Sequence, residues 1–174
     1  VIKAKHGVYA FRYSGYDLIR QVEQWYNMNK ATNLTEFKEA MRMMQIPMFN
    51  TLYADKSGNI FYIYNGLLPE RKSGFNWHDI IPGDDSALIW DSYYKFEELP
   101  QSINPRSGYL QNCNSTPYLA TTGRGNPRKI LPDDTGIETF QTNTLEETCS
   151  IFNEKENAEI INIEPITLAI NKIK

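Results

Sequence analysis

The residues from Phe49 to Arg71, FNTLYADKSGNIFYIYNGLLPER, commit part of this chain to a β-hairpin. Every second residue through Phe49, Thr51 and Tyr53, and again through Ile60, Tyr62 and Tyr64, is aromatic or β-branched. A period of two places such side chains on one face of an extended backbone. Between the runs, Asp55-Lys56-Ser57-Gly58-Asn59 supplies residues that tolerate left-handed angles or bond back to their own backbone. Two polar residues stand out at the ends of this stretch. Asn50 lies inside an otherwise apolar strand, and Arg71 follows just after Pro69.

Composition bounds what surrounds the hairpin. A chain of 174 residues, read as one domain over 1–174, is long enough to bury a core. With 41% hydrophobic and 22% charged residues it is globular. A net charge of −3 with mixed signs gives no basic footprint, so no nucleic-acid partner is expected. No run approaches the roughly 18 apolar residues of a membrane span. The first residues, VIKAKHGVYAFRY, lack the apolar stretch and cleavage site of a signal peptide and begin without Met, as if cut from a longer protein. The 11 Tyr and 8 Phe favour half-buried strands or an aromatic-lined pocket. Cys113 and Cys149 can form one disulfide in an exported protein or remain two thiols.

Around the hairpin the pattern alternates between types. VYAFRY reads as a strand after the His6-Gly7 turn. Ser14 or Asp17 can cap a helix with an apolar face of Leu18, Val22, Trp25 and Tyr26. Asn33 and Glu36 form an Asn-headed capping box for a second helix bearing Leu34, Phe37, Met41 and Met44, ended by Ile46-Pro47. Its methionines either pack in the core or line a pocket. From Leu67 to Pro127 prolines and glycines break up the pattern, and a loop of that length is functional or wraps another part of the protein. Within it, residues 107–114 read as one more strand. Thr144 and Glu147 cap a short helix through Phe152, and the tail from Glu159 is a strand or short helix split by Pro165. The expected class is α+β, with two helices packed on an antiparallel sheet and long Pro-rich loops.

No self-contained catalytic centre is visible. There is no GxSxG elbow, and His6 and His78 have no Ser or Cys partner in sequence. The pairs Asp84-Asp85, Glu97-Glu98 and Asp133-Asp134 fall in loops. Gly123-Arg124-Gly125 lacks the spacing of a phosphate loop. No CxxC or HxxxH spacing suggests a metal.

The ordered set Asn50-Thr-Leu-Tyr-Ala-Asp55, Gly58-Asn-Ile60, Gly66, Pro69-x-Arg71, Glu98-Leu-Pro100, Asn104-Pro105-x-Ser-Gly108-Tyr and Asn112-x-Asn114-Ser-x-Pro117 resembles the β-subunit of penicillin acylases. It is most similar to acyl-homoserine-lactone and aculeacin acylases, over roughly residues 8 to 150, with 151–174 unassigned. The resemblance implies an N-terminal-nucleophile amidohydrolase with an αββα sandwich, of which this chain is an internal fragment. The nucleophile, a freed N-terminal residue whose α-amino group serves as base, would lie outside it. On the family pattern Asn50 matches an oxyanion-hole donor and Arg71 an arginine that organises the site. The bland alternatives are a strand-edge hydrogen bonder and a surface ion pair. The resemblance further implies a periplasmic or secreted protein; no cofactor is expected, since the residues with which the family often binds a structural calcium cannot be identified in this sequence. The implied partners are the rest of the acylase α and β chains and a small N-acyl substrate. The fragment alone would be inactive and prone to self-association. The competing reading is a non-catalytic ligand- or protein-binding module of an exported protein.

Overall fold

The computed structural model describes residues 1–77, 79–114, 116–127 and 168–171. The anticipated helix from Thr144, Cys149 and His78 lie outside them. Contacts divide the described residues into two units, the first of residues 1–49 and 65–99, the second of residues 50–64, 100–127 and 168–171.

In the first unit, β1 (Ile2–Ala4) and β2 (Gly7–Tyr9) pair antiparallel, with Ile2 opposite Tyr9. The strand expected through VYAFRY is shorter than anticipated. A strand persists only as far as it has a partner to bond, and β1 is three residues long. Helix α1 (Gln21–Lys30) starts later than a Ser14 or Asp17 cap would place it. Ser14 instead donates to the Leu67 carbonyl. Gly15, at φ 86°, turns the chain ahead of the helix.

The orientation of α1 corrects the expectation more deeply. Val22 (81% exposed), Trp25 and Tyr26 point outward, and the helix's one buried residue is Gln24. Gln21, Gln24, Asn27 and Met28, spaced by three and four, form the inward face. Hydrogen bonding explains the rotation. Gln24 Oε1 accepts the backbone N–H groups of Gln45 (2.6 Å) and Ile46 (3.1 Å), and its Nε2 donates to Asn65 Oδ1 (3.0 Å) and towards Met41 Sδ (3.8 Å). Asn65 in turn donates to the Met41 carbonyl (2.9 Å). Both amides are buried and have partners on both ends, as burial of a polar group requires.

Helix α2 (Leu34–Met41) begins at the anticipated cap, where Asn33 Oδ1 accepts the Glu36 N–H at 3.0 Å. Glu36 reaches back one residue further than a strict capping box, to the Thr32 N–H (2.7 Å). The helix stops several residues before Pro47, because the N–H groups of Gln45 and Ile46 are taken by Gln24 and Met44 is left-handed, at φ 46°. Met41 is fully buried and belongs to the core with Phe37, Ala40, Ile46, Leu68, Phe96 and Leu99. Met43 and Met44 are half-buried.

In the second unit, β3 (Phe49–Ala54) and β4 (Ile60–Asn65) form the expected hairpin, their end residues Phe49 and Asn65 counting with the first unit. Gly58 takes φ 80° in the turn, and Asp55 accepts from Asn59 N (3.0 Å), Asn59 Nδ2 (2.9 Å) and the Tyr53 hydroxyl (3.0 Å). These bonds, those from Asn59 first, hold the Asp55 carboxyl below its usual range. The period-two pattern implies a half-buried strand, yet every residue of β4 is buried. It is the middle strand, with β3 on one side and β5 (Gln101–Ile103) on the other, Phe61 standing opposite Ile103. β6 (Tyr109–Asn112), expected from residues 107–114, pairs antiparallel with β7 (Leu168–Asn171). The core here is Ile60, Tyr62, Leu110 and Ala120, with Leu52 against it.

Candidate active site

Asn50 sits on β3 and is half-buried. Its side chain joins a chain of three hydrogen bonds whose direction is set at one end by the backbone. Asn114, left-handed at φ 57°, donates its backbone N–H to Asn112 Oδ1 at 2.9 Å. A peptide N–H can only donate, so the Asn112 atom facing it is the oxygen. The same oxygen accepts from Asn50 Nδ2 (3.0 Å), which turns the Asn50 carbonyl oxygen to the Tyr62 hydroxyl, a donor at 2.6 Å. The tyrosine is 1% exposed, and burial, ahead of the nearby Tyr64 and Tyr118, raises its hydroxyl well above its ordinary range. It therefore stays a protonated donor throughout neutral and mildly alkaline pH.

Arg71 belongs to the first unit and Asn50 to the second, so each is described within its own surroundings. The segment leading to Arg71 is tied down by paired backbone: Tyr94 N–H to the Leu68 carbonyl (2.9 Å) and Glu70 N–H to the Ser92 carbonyl (3.0 Å), around a bridge between Pro69 and Tyr93. The guanidinium lies over two indoles, 5.4 Å from the Trp77 ring centre and 5.3 Å from that of Trp90. Trp77 is itself anchored by its N–H on the Lys72 carbonyl (2.9 Å), and Arg12 also stacks on Trp90, at 5.3 Å. A planar guanidinium held against aromatic rings loses little freedom when it engages a second group.

Gly66 explains its place in the motif. A Cβ there would meet the Met48 backbone nitrogen at 2.9 Å, so only glycine permits this approach. A cavity of about 230 Å³ in the first unit is lined by Phe11, Arg12, Tyr13, Tyr16, Leu67 and Tyr93, among others, with Arg12 and Asp17 as its charged groups. Its lining includes no Ser, Thr, Cys or His.

Among the described residues no three His, Cys, Asp or Glu side chains are grouped to hold a cation. Asp55, the carboxylate nearest the motif, is committed to its turn. Cys113 is buried and its thiol donates to Gln111 Oε1 at 2.8 Å.

The resemblance singled out Asn50 and Arg71; their immediate partners went unremarked. Tyr62 was legible only as one aromatic in an alternating strand. Asn112 and Asn114 are quoted in the motif, and the i to i+2 spacing of an Asx-turn was the available signal. Trp77 and Trp90 carry no local pattern that ties them to Arg71.

Comparison with known proteins completes the description. The model of the family described as Penicillin amidase matches residues 1–141. The chain is 34% identical over 93 residues to Penicillin G acylase of Escherichia coli, a match covering 53% of this chain and 11% of that protein. It is 28% identical over 132 residues to the acyl-homoserine lactone acylase PvdQ of Pseudomonas fluorescens (strain Pf0-1), covering 64% of this chain and 17% of the relative. Among solved structures, a thermostable Penicillin G acylase from Alcaligenes faecalis superposes with a TM-score of 0.56 at 29% identity, over 74% of this chain and 25% of that one. The chain thus spans less than a fifth of the length of these two curated relatives.

Proposed function

This chain belongs to the penicillin amidase family, and from that membership we propose that it is part of an amidohydrolase that cleaves a carboxylic amide in an N-acylated small molecule. The reacting nucleophile is an N-terminal residue outside these 174 residues. Its oxygen or sulfur attacks the amide carbon, its α-amino group taking the proton, and the carbonyl oxygen becomes an oxyanion. The C–N bond then breaks, the amine leaves with that proton, and water releases the acid from the acyl-enzyme in the second half of the cycle. Asn50 is the side-chain donor to the oxyanion. Arg71, lying against Trp77 and Trp90, is the second residue that the family pattern assigns to the reaction. An exported setting, periplasmic or secreted, belongs to the same reading, as does assembly with the remaining acylase chains.

The observation that carries this reading is the oriented Asn50 amide. Its oxygen is engaged by Tyr62 and its nitrogen faces Asn112, so the group presents a donor of fixed direction. Preorganised donors of this type stabilise developing negative charge without having to reorient during reaction. The test is Asn50→Ala in the full-length enzyme. Loss of one oxyanion donor lowers kcat by about 10²–10³, while the folded fraction stays near wild type. A fully active Asn50→Ala enzyme overturns the assignment.

A further inference from the structure

We infer that Asn112 and Tyr62 are positioning residues, Asn112 fixing which end of the Asn50 amide is the donor and Tyr62 holding that amide in place, an inference that rests on the oxyanion reading of Asn50. An asparagine side chain is nearly symmetric in shape, and turning it over exchanges an N–H donor for a carbonyl oxygen. A donor stabilises an oxyanion; an oxygen in its place repels one. Such a site therefore needs a device that settles the orientation before substrate arrives.

The device begins at the backbone. The Asn114 N–H fixes Asn112 Oδ1 as acceptor, Asn112 Oδ1 fixes Asn50 Nδ2 as donor, and Tyr62 closes the series on Asn50 Oδ1. Because the amide is planar, holding its oxygen and one N–H also fixes the line of the second N–H. Flipping Asn50 would set oxygen against oxygen at Asn112, while the Tyr62 hydroxyl, able to donate or accept, holds the amide in place from its other end. Tyr62 suits the task because its ring is buried in the core with Ile60, Leu110 and Ala120, which fixes where the hydroxyl sits. Asn112 suits it because its oxygen is already held by the turn it caps. Neither residue touches the reacting atoms in this scheme; both act through Asn50.

A double-mutant cycle on the full-length enzyme, assayed with a chromogenic N-acyl anilide, tests the inference. Tyr62→Phe removes one hydroxyl and should lower kcat by about threefold to tenfold, the range set by the net worth of one hydrogen bond, with KM unchanged. In the Asn50→Ala background the same substitution should have no further effect, because the residue it orients is gone. Asn112→Ala should behave in the same way, which keeps the test decisive should Tyr62→Phe fold poorly. An equal loss of kcat in both backgrounds overturns the inference, as does full kcat in Tyr62→Phe. A crystal structure separates the positioning claim from the catalytic one. In Tyr62→Phe, the Asn50 side chain should be displaced or split between two rotamers. An unmoved Asn50 defeats the positioning claim whatever its kinetics, whereas a displaced Asn50 in an enzyme indifferent to Asn50→Ala defeats only the oxyanion reading.

Discussion

Two amide side chains, Gln24 in the first unit and Asn50 in the second, occupy places where an apolar residue would ordinarily be expected, and they are satisfied differently. Gln24 is fully buried, and two backbone N–H groups, an asparagine oxygen and a methionine sulfur use all of its hydrogen-bonding capacity. It closes on itself and locks α1 to the turn after α2. Asn50 is half-buried and held from two sides by side chains, one of them anchored in a turn. A network that closes stabilises the fold; one that orients an accessible amide can serve a ligand.

The largest expected effect is the dissociation between them. Gln24→Ala strands the N–H groups of Gln45 and Ile46 and the oxygen of Asn65. At about 1–3 kcal/mol for each buried group left without a partner, the loss should reach several kcal/mol in urea unfolding, with kcat per folded molecule retained. Asn50→Ala should do the reverse, losing activity while the unfolding midpoint moves little. Equal losses of stability from both would erase the distinction.

A smaller effect should appear with pH. Tyrosine ionises near pH 10 in an unfolded chain, and burial raises Tyr62 above that value. Below pH 10 both states hold the proton and the contribution of Tyr62 is complete. Above it the unfolded chain releases the proton while the folded chain keeps it, so stability falls as pH rises, by at most about 1.4 kcal/mol per pH unit. Unfolding midpoints between pH 8 and 11 should show this decline, and Tyr62→Phe should remove its share. A decline that persists unchanged in Tyr62→Phe would assign it to other groups.

The smallest lies outside both networks. Asn33→Ala removes the cap of α2 and should cost about 1 kcal/mol, measurable as a shift in Tm with kcat untouched. A loss of activity there would mean that helix fraying reaches the site, and the comparison would need redrawing.

Much of the architecture was legible in the chain itself, and the misreadings have identifiable causes. The hairpin, its turn and the Asn33 cap follow from local rules, because turn chemistry and capping act within a few residues. The outer face of α1 was misassigned because Val22, Trp25 and Tyr26 have helical spacing and hydrophobicity, while the groups that draw Gln24 inward lie 17 to 41 residues away. β5 was missed because three residues after a proline carry too little pattern. The complete burial of β4 went unread although Phe61 and Ile63 make Ile60–Tyr64 a continuous apolar run, the pattern of a strand covered on both faces. Of the candidate site, Asn50 and Arg71 were reached through ordered motif resemblance, and their surroundings were not.

What the sequence determined alone is therefore the set of parts: a hairpin with a polar residue in its first strand, two helices, an Asx-turn and an arginine beyond a proline. Each depends on interactions spanning a handful of residues. Only the tertiary structure decided what those parts do to one another. It brought Tyr62 and Asn112, 12 and 62 residues from Asn50, to opposite ends of one amide, and it set Arg71 against two adjacent tryptophans. The physical reason is that hydrogen-bond direction and ring stacking depend on positions in space to within about half an ångström, and no local pattern carries that information.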